Sequence, residues 1–359
     1  MKTVHGRYVT SEHVYDLLAR LKSSFKIETI GRSVMGKPIK SVEIGDGPER
    51  ILMWSQMHGN ESTTTKAVLD LINYLAKKGE ISDGLIESCT LKIIPVLSPD
   101  GAEAYTRVNA NDIDLNRDAQ NLSQPESMAL RKTFDVFSPH FCFNLHDQRT
   151  IYNVGHTKMP ATVSFLSPSV DEARTITESR TRAMELVVLI NRMLQTVVPG
   201  QVGRYDDGYN LNCVGDTFQT LNCPTVLFEA GHFQGDYQRE MTRKLIFQSL
   251  LTALTAIGKG IVSNCDATEY FEIPENGKQF FDVLIKNAHH YNPKYKKGDS
   301  VGLLYQEFLG EGKIILVPKI EKVGTLNSFF GHKTYDCAIE GDLLDLHANF
   351  SICSVINNI

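Results

Sequence analysis

The feature that most restricts how this chain folds is an alternation. Short apolar runs at 38–44, 51–57, 91–97, 141–145 and 224–229 are separated by stretches with helical spacing near 61–78, 124–137, 171–198 and 236–258. Strands that alternate with helices predict an α/β layer structure on a largely parallel or mixed sheet. An opening helix over 10–25 fits the scheme: Thr10 or Ser11 caps it, and Val14, Leu17, Leu18, Leu21 and Phe25 recur at helical spacing. In such sheets ligands gather beyond the carboxyl ends of the strands. The polar residues that directly follow the apolar runs are therefore the candidates for chemistry.

After Gly258-Lys259-Gly260 the texture changes. Residues 265–359 carry short apolar runs at 280–285, 301–305, 313–320, 335–339 and 343–346, separated by Gly, Pro, Asn and Asp. This predicts a small β-rich second domain, with the division at 1–263 and 264–359. The 359 residues suffice for a large core plus such a unit. A net charge of -5, with the charges interspersed, offers no basic face for nucleic acid. No apolar run approaches the roughly 20 residues needed to span a bilayer, so no membrane partner is expected. Met1-Lys2-Thr3 leads into no apolar signal core. The 7 cysteines are scattered without Cys-x-x-Cys spacing and read as reduced thiols. These features predict a cytoplasmic chain; they leave the oligomeric state open.

His58-Gly59-Asn60-Glu61 follows the second of the apolar runs and precedes a helical pattern. That context puts His58 at the mouth of a strand and Glu61 in the first turn of a helix, both facing one point. An imidazole and a carboxylate so placed suit Zn²⁺. His146, directly after Phe141-Cys142-Phe143-Asn144-Leu145, is the candidate third ligand. Two ligands close in sequence, a distant third and an open fourth position form the pattern of a catalytic zinc site. Asp147 or Asn144 is placed to orient an imidazole from behind. The polar, turn-rich segment from Arg107 to Arg117 adds a guanidinium beside Asn116, suited to gripping a terminal carboxylate, and a second arginine able to stabilise an oxyanion. Glu229 ends the apolar run Thr225-Val226-Leu227-Phe228. Burial there raises a carboxyl pKa, as a general base near neutrality requires.

Taken together these pieces resemble the zinc carboxypeptidase family over roughly residues 7–258. The likeness includes Gly31-Arg32-Ser33 with Gly36-Lys37-Pro38-Ile39, then His58 to Glu61, Arg107 with Asn116-Arg117, His146 and Glu229. The resemblance implies a three-layer α/β/α domain with a mixed central sheet. It implies one Zn²⁺ per chain held by His58, Glu61 and His146, a carboxylate clamp of Asn116 and Arg117, Arg107 as oxyanion stabiliser and Glu229 as base. The family's mobile tyrosine, which caps bound substrate, is matched to Tyr209, with Tyr205 next. The implied activity is hydrolysis of a C-terminal peptide bond.

The sequence departs from the family at Asp118, at Asp147-Gln148 and at Ala230-Gly231-His232. A related group, the aspartoacylase and succinylglutamate desuccinylase type, shares the His-Gly-Asn-Glu motif and carries a C-terminal β domain. It implies an alternative, an N-acyl amino-acid amidohydrolase acting on a small acylated substrate. In that group the arginine lies nearer the Asn-Arg pair than Arg107 does, which favours the peptidase. A binding protein with a degenerate site is disfavoured by the intact ligand set. Asp216 is readable either as a reader of basic side chains or as a helix cap. His289, His290 and His332 have no ligand partner at metal spacing and read as structural.

Overall fold

A computed structural model describes residues 4–21 and 25–357. The expected opening helix forms as α1 (Ser11–Ala19); Thr10 caps it by accepting from His13 N, while the His13 ring returns to the Thr10 amide. Residues 22–24 of the expected span lie outside the described residues. Eight strands then build the main sheet: β1 (Lys26–Arg32), β2 (Pro38–Ile44), β3 (Glu49–Ser55), β4 (Cys89–Ile94), β5 (Phe141–Asp147) and, after the two-residue β6 (Asn153–Val154), β7 (Val163–Leu166), β8 (Val202–Arg204) and β9 (Thr225–Ala230). Their spatial order is β1-β2-β4-β3-β5-β9-β7-β8. The middle is parallel, β4 with β3, β3 with β5 and β5 with β9, and antiparallel pairings flank it. The sheet is mixed, as expected.

Helices α2 (Thr63–Leu75), α3 (Glu80–Ser88), α4 (Pro99–Ala104), α5 (Pro125–Phe137), α6 (Glu178–Gln195), α7 (Val214–Thr220) and α8 (Glu240–Gly258) lie between the strands. Strand alternation divides them into two outer layers. Ile51 and Met53 of β3 join Val68 and Ile72 of α2 and Leu250 and Leu254 of α8 in one core. Leu52 and Trp54 face the other way, with Leu130 and Phe134 of α5 and Phe218 of α7. Phe134 stacks on Phe218 at 4.0 Å, and Trp54 meets Phe218 edge-on at 5.4 Å. Each fully buried aliphatic or aromatic side chain there contributes roughly 1.5–3 kcal/mol, offset by ordering entropy. The site is held by a packed three-layer body.

Two short turns, Val262–Asn264 and Ala267–Glu272, pack on α6, and β10 (Asn276–Gly277) pairs with β6. A separate sheet follows: β11 (Phe280–Lys286), β12 (Ser300–Gly310), β13 (Lys313–Gly324) and β14 (Phe330–Asp336), ordered β13-β12-β11-β14. The apolar run at 343–346 is not a strand. It lies in α9 (Glu340–Ala348), followed by α10 (Phe350–Ile356). Leu343 and Leu346, three apart, turn to the small core while Leu344 is 63% exposed, which is helical periodicity. α2 also begins later than expected. Its first amides, Thr63 N and Thr64 N, donate to Asp147 of β5 at 2.9 and 3.2 Å, so Glu61 precedes the helix.

Candidate metal centre and substrate cleft

His58 follows β3 through a turn whose Gln56 has a φ of 43°. The glycine of the motif is required by packing: a Cβ on Gly59 would lie 1.9 Å from the Gly101 carbonyl carbon at α4. That approach carries the chain back so that Glu61 faces His58. His146 and Glu229 sit on β5 and β9 as register partners at the carboxyl ends of adjacent parallel strands.

The three expected ligands converge. His58 Nδ1 lies 2.9 Å from one Glu61 oxygen, His146 Nδ1 lies 2.8 Å from the other, and the two Nδ1 atoms are 3.1 Å apart. Ligand bonds of about 2.0–2.1 Å in a tetrahedron put donor atoms roughly 3.4 Å apart, so these edges fit a zinc-sized ion after slight expansion. With the neutral His58 ring donating from Nε2 to Asp114, its Nδ1 lone pair faces a Glu61 oxygen with no proton between them. A cation there satisfies the whole set.

His58 Nε2 donates to Asp114 at 2.9 Å, and Asp114 also accepts from Asn116 N. The sequence alone offers Asp147 or Asn144 for orienting an imidazole. Asp147 instead caps α2, and Asp114 takes the imidazole. The signal was a carboxylate two places before Asn116 in the polar turn, but nothing local tells it from a capping aspartate. Burial opposes the charge on Glu61, yet the imidazoles, His58 foremost, outweigh it and hold this carboxyl well below the usual range. Glu229 is opposite. Burial first, then the nearby Glu61 and Asp147 carboxylates, push it well above the usual range, and its buried Oε2 has no hydrogen-bond partner among the described residues.

Arg107 donates from Nε to Asp114 at 3.1 Å and from Nη1 to Glu61 at 3.4 Å. Arg117 donates from Nη1 to the Asn116 carbonyl at 2.7 Å and to Cys213 Sγ at 3.2 Å, and its other N–H groups have no partner among the described residues. Asn116 Oδ1 accepts from Val214 N at 3.0 Å, which ties it to the start of α7 and leaves its amide nitrogen available. A cavity of about 370 Å³ brings together His58, Glu61, His146, Arg107, Asn116, Arg117 and Glu229. Tyr205 lines it, its ring 5.4 Å from that of Tyr152. Tyr209, the first sequence choice, is not among the lining residues, so the cavity wall favours the second. Asp216 lines the cavity too. Burial raises its carboxyl to about 6, against the Asn210 amide at 3.4 Å, its own amide and the more distant Arg117 and Arg180, and it forms no ion pair among the described residues.

The departures from the family pattern are structural. Asp118 accepts from Ser123 N, Ser123 Oγ and Gln124 N, fixing the approach to α5. Gln148 Nε2 donates to the Ala161 carbonyl, and a Cβ on Gly231 would lie 2.0 Å from the same carbonyl oxygen. His232 packs against His332 of β14 at 4.3 Å, where burial keeps both rings neutral. The small sheet thus meets the main body beside the site. Glu307 of β12 is 3.0 Å from Arg7 and accepts from the Tyr105 hydroxyl. Between the two parts lies a second cavity of about 580 Å³, which shares Glu61, Arg107, Asp147, Gln148 and Arg149 with the first.

The layered α/β/α body is similar in fold to metallo-carboxypeptidases of known structure. The match to a metallo-carboxypeptidase from Burkholderia cenocepacia has a TM-score of 0.57 at 18% identity, covering 70% of each chain. That to the Pseudomonas aeruginosa metallo-carboxypeptidase, solved with (2-guanidinoethylmercapto)succinic acid, scores 0.55 at 19% identity over 69% of each chain. At such identities the likeness is one of fold. In sequence, residues 11–135 match the zinc carboxypeptidase family. Carboxypeptidase SOL1 of Arabidopsis thaliana is 33% identical over 134 residues, 32% of this chain and 27% of that protein. Carboxypeptidase D of Mus musculus is 27% identical over 175 residues, 41% of this chain and 13% of that protein. The sequence likeness to zinc carboxypeptidases is thus confined to part of the chain, and the matches span about a quarter or less of these curated relatives' length. Among the described residues no helix is long and apolar enough to cross a membrane.

Proposed function

We propose that this protein is a zinc-dependent carboxypeptidase that removes a residue from the C-terminus of a peptide. The observation that carries the reading is the convergence of both Nδ1 atoms on the Glu61 carboxylate, with Glu229 one strand away and Asn116-Arg117 in the same cavity. One Zn²⁺ per chain, held by His58, Glu61 and His146, would acidify a water to a pKa of about 7 and polarise the scissile carbonyl. The open N–H groups of Arg117 and the Asn116 amide grip the terminal carboxylate and set the register of the bond. Glu229, whose burial gives it proton affinity, takes a proton from the water as its oxygen bonds to the carbonyl carbon. It passes that proton to the amine as the C–N bond breaks. Arg107 donates to the carbonyl oxygen as it gains charge. Tyr205 closes over the terminal residue.

Asp216 names a substrate class. A buried carboxyl in this cavity, held only by backbone amides and with no ion pair among the described residues, supports preference for a C-terminal Lys or Arg, whose cation would favour its charged form.

A second reading, an N-acyl amino-acid amidohydrolase, is favoured by one observation: β12 of the small sheet leans over the site and walls one cavity. The two cavities of about 370 and 580 Å³ on either side of Glu61 fit a peptide better than a small acid. One experiment separates them. Zinc content is measured, then peptides with free and amidated C-termini and acylated aspartate and glutamate are offered. Release of single residues only from free C-termini supports the peptidase; turnover confined to acyl-amino acids overturns it.

A further inference from the structure

The larger cavity is bordered by four carboxylates and four arginines, but these charges are not all paired. Each acid there is already engaged. Glu61 faces the imidazoles, Asp147 takes the α2 amides and Glu307 takes Arg7 and Tyr105. Asp282 of β11 accepts from Tyr237, Thr150 and Tyr305 N. Three of the arginines are engaged as well. Arg7 is paired with Glu307, Arg107 with Asp114 and Glu61, and Arg239 donates to the Ala230 and Gln148 carbonyls. Arg149 alone of the four has no ion pair or hydrogen bond among the described residues, although it borders both cavities.

Its backbone is nonetheless held from both sides. Gln148 N donates to the Ala230 carbonyl at 2.9 Å, and its side chain reaches Ala161 and Ser164. Thr150 donates to Asp282 at 3.2 Å, and its carbonyl accepts from His332 at 2.8 Å. The main body and the small sheet together thus anchor the backbone from which this guanidinium extends. An unpaired arginine on an anchored segment is pre-organised for a planar anion.

We propose that Arg149 reads a carboxylate on the acyl side of the scissile bond, so that the preferred peptide carries an acidic residue just before the one removed. The direction rests on the carboxypeptidase reading. With the terminal carboxylate on Arg117 in the smaller cavity, the bond to be cut lies at the ligand set, and the preceding residue passes Arg149 into the larger cavity. A bidentate guanidinium–carboxylate pair supplies the recognition. Because Arg149 is exposed, the pair is worth a modest factor and weakens with salt.

The test uses peptides differing only in the residue before the last: Glu, Gln or Lys. The wild-type protein is expected to cleave the Glu peptide with about three- to fivefold higher kcat/KM than the Gln peptide at low salt. Arg149→Ala brings that ratio to about one, and Arg149→Glu moves the preference to Lys. Binding is measured separately, on the Glu229→Gln protein, and is expected to follow the same order. Equal affinity for the Glu and Gln peptides there, or a preference that survives Arg149→Ala in a variant with wild-type unfolding midpoint, overturns the proposal. If none of the peptides is cut, the carboxypeptidase reading fails, and the binding comparison still decides for or against Arg149.

Discussion

The Nε2 nitrogen of His58 lies 2.9 Å from Asp114, and this contact determines which ring nitrogen is left for a metal. A carboxylate acceptor places the ring proton on Nε2, so Nδ1 keeps its lone pair and faces Glu61. Replacing Asp114 by Asn keeps the shape and removes the charge. Zinc affinity is expected to fall by about 10–100-fold, read by competition with a chelator, with the unfolding midpoint of the metal-free protein little changed.

Glu229→Gln removes the proton acceptor and leaves the three ligands untouched. Zinc content should stay at one per chain, while kcat falls by a factor on the order of 10²–10⁴. Wild-type turnover in a protein that retains its metal would sink the assignment of the base.

Asp216 ties specificity to pH. Its carboxyl is raised from 3.8 to about 6, chiefly by burial. Preference for C-terminal Lys or Arg over Leu should be full near pH 8 and fade as pH falls through about 6. Asp216→Asn should abolish it at all pH. Between about 4 and 6 the folded carboxyl holds a proton that the unfolded chain has lost, so this group's contribution to stability falls as pH rises through that window. Urea unfolding of wild type against Asp216→Asn across that range measures the slope.

Tyr205 and Tyr209 give a paired test. Tyr205→Phe should lower kcat/KM by roughly 10-fold, the size of one lost substrate hydrogen bond to a charged group. Tyr209→Phe should stay within about twofold, the effect of a change away from the substrate. The opposite ranking would restore Tyr209 as the capping residue.

Glu307 ties the small sheet to the main body. Glu307→Ala leaves Arg7, which is 8% exposed, without its carboxylate. A loss of about 2–3 kcal/mol in urea unfolding is expected, less at high salt, where partial exposure of Glu307 lets ions screen the pair.

Much of the site was legible because its residues follow apolar runs. His146 and Glu229 end strands whose hydrophobic cores are local patterns, and parallel pairing of β5 with β9 does the rest. Gly59 belongs to the same legible motif, although the reason for it, the Gly101 backbone alongside, lies 42 residues further along the chain. Asp114 was not legible as the partner of His58, because a capping aspartate and an orienting one look alike until a distant imidazole arrives. The run at 343–346 misled because an apolar cluster of that length fits a strand or one turn of helix equally, and the small core chose the helix.

The sequence by itself determined the alternating α/β layers and the residue types able to hold zinc, grip a carboxylate and move a proton. These depend on periodicity and on side-chain chemistry, which are local. Tertiary structure alone decided that Tyr205 lines the cavity, that Asp147 caps α2, and that Arg149 is left unpaired among the described residues between two cavities. Those outcomes depend on which charges are brought within a few ångströms of one another and which are shielded from water. Coulombic and desolvation terms respond to that spatial arrangement, and no local pattern encodes it.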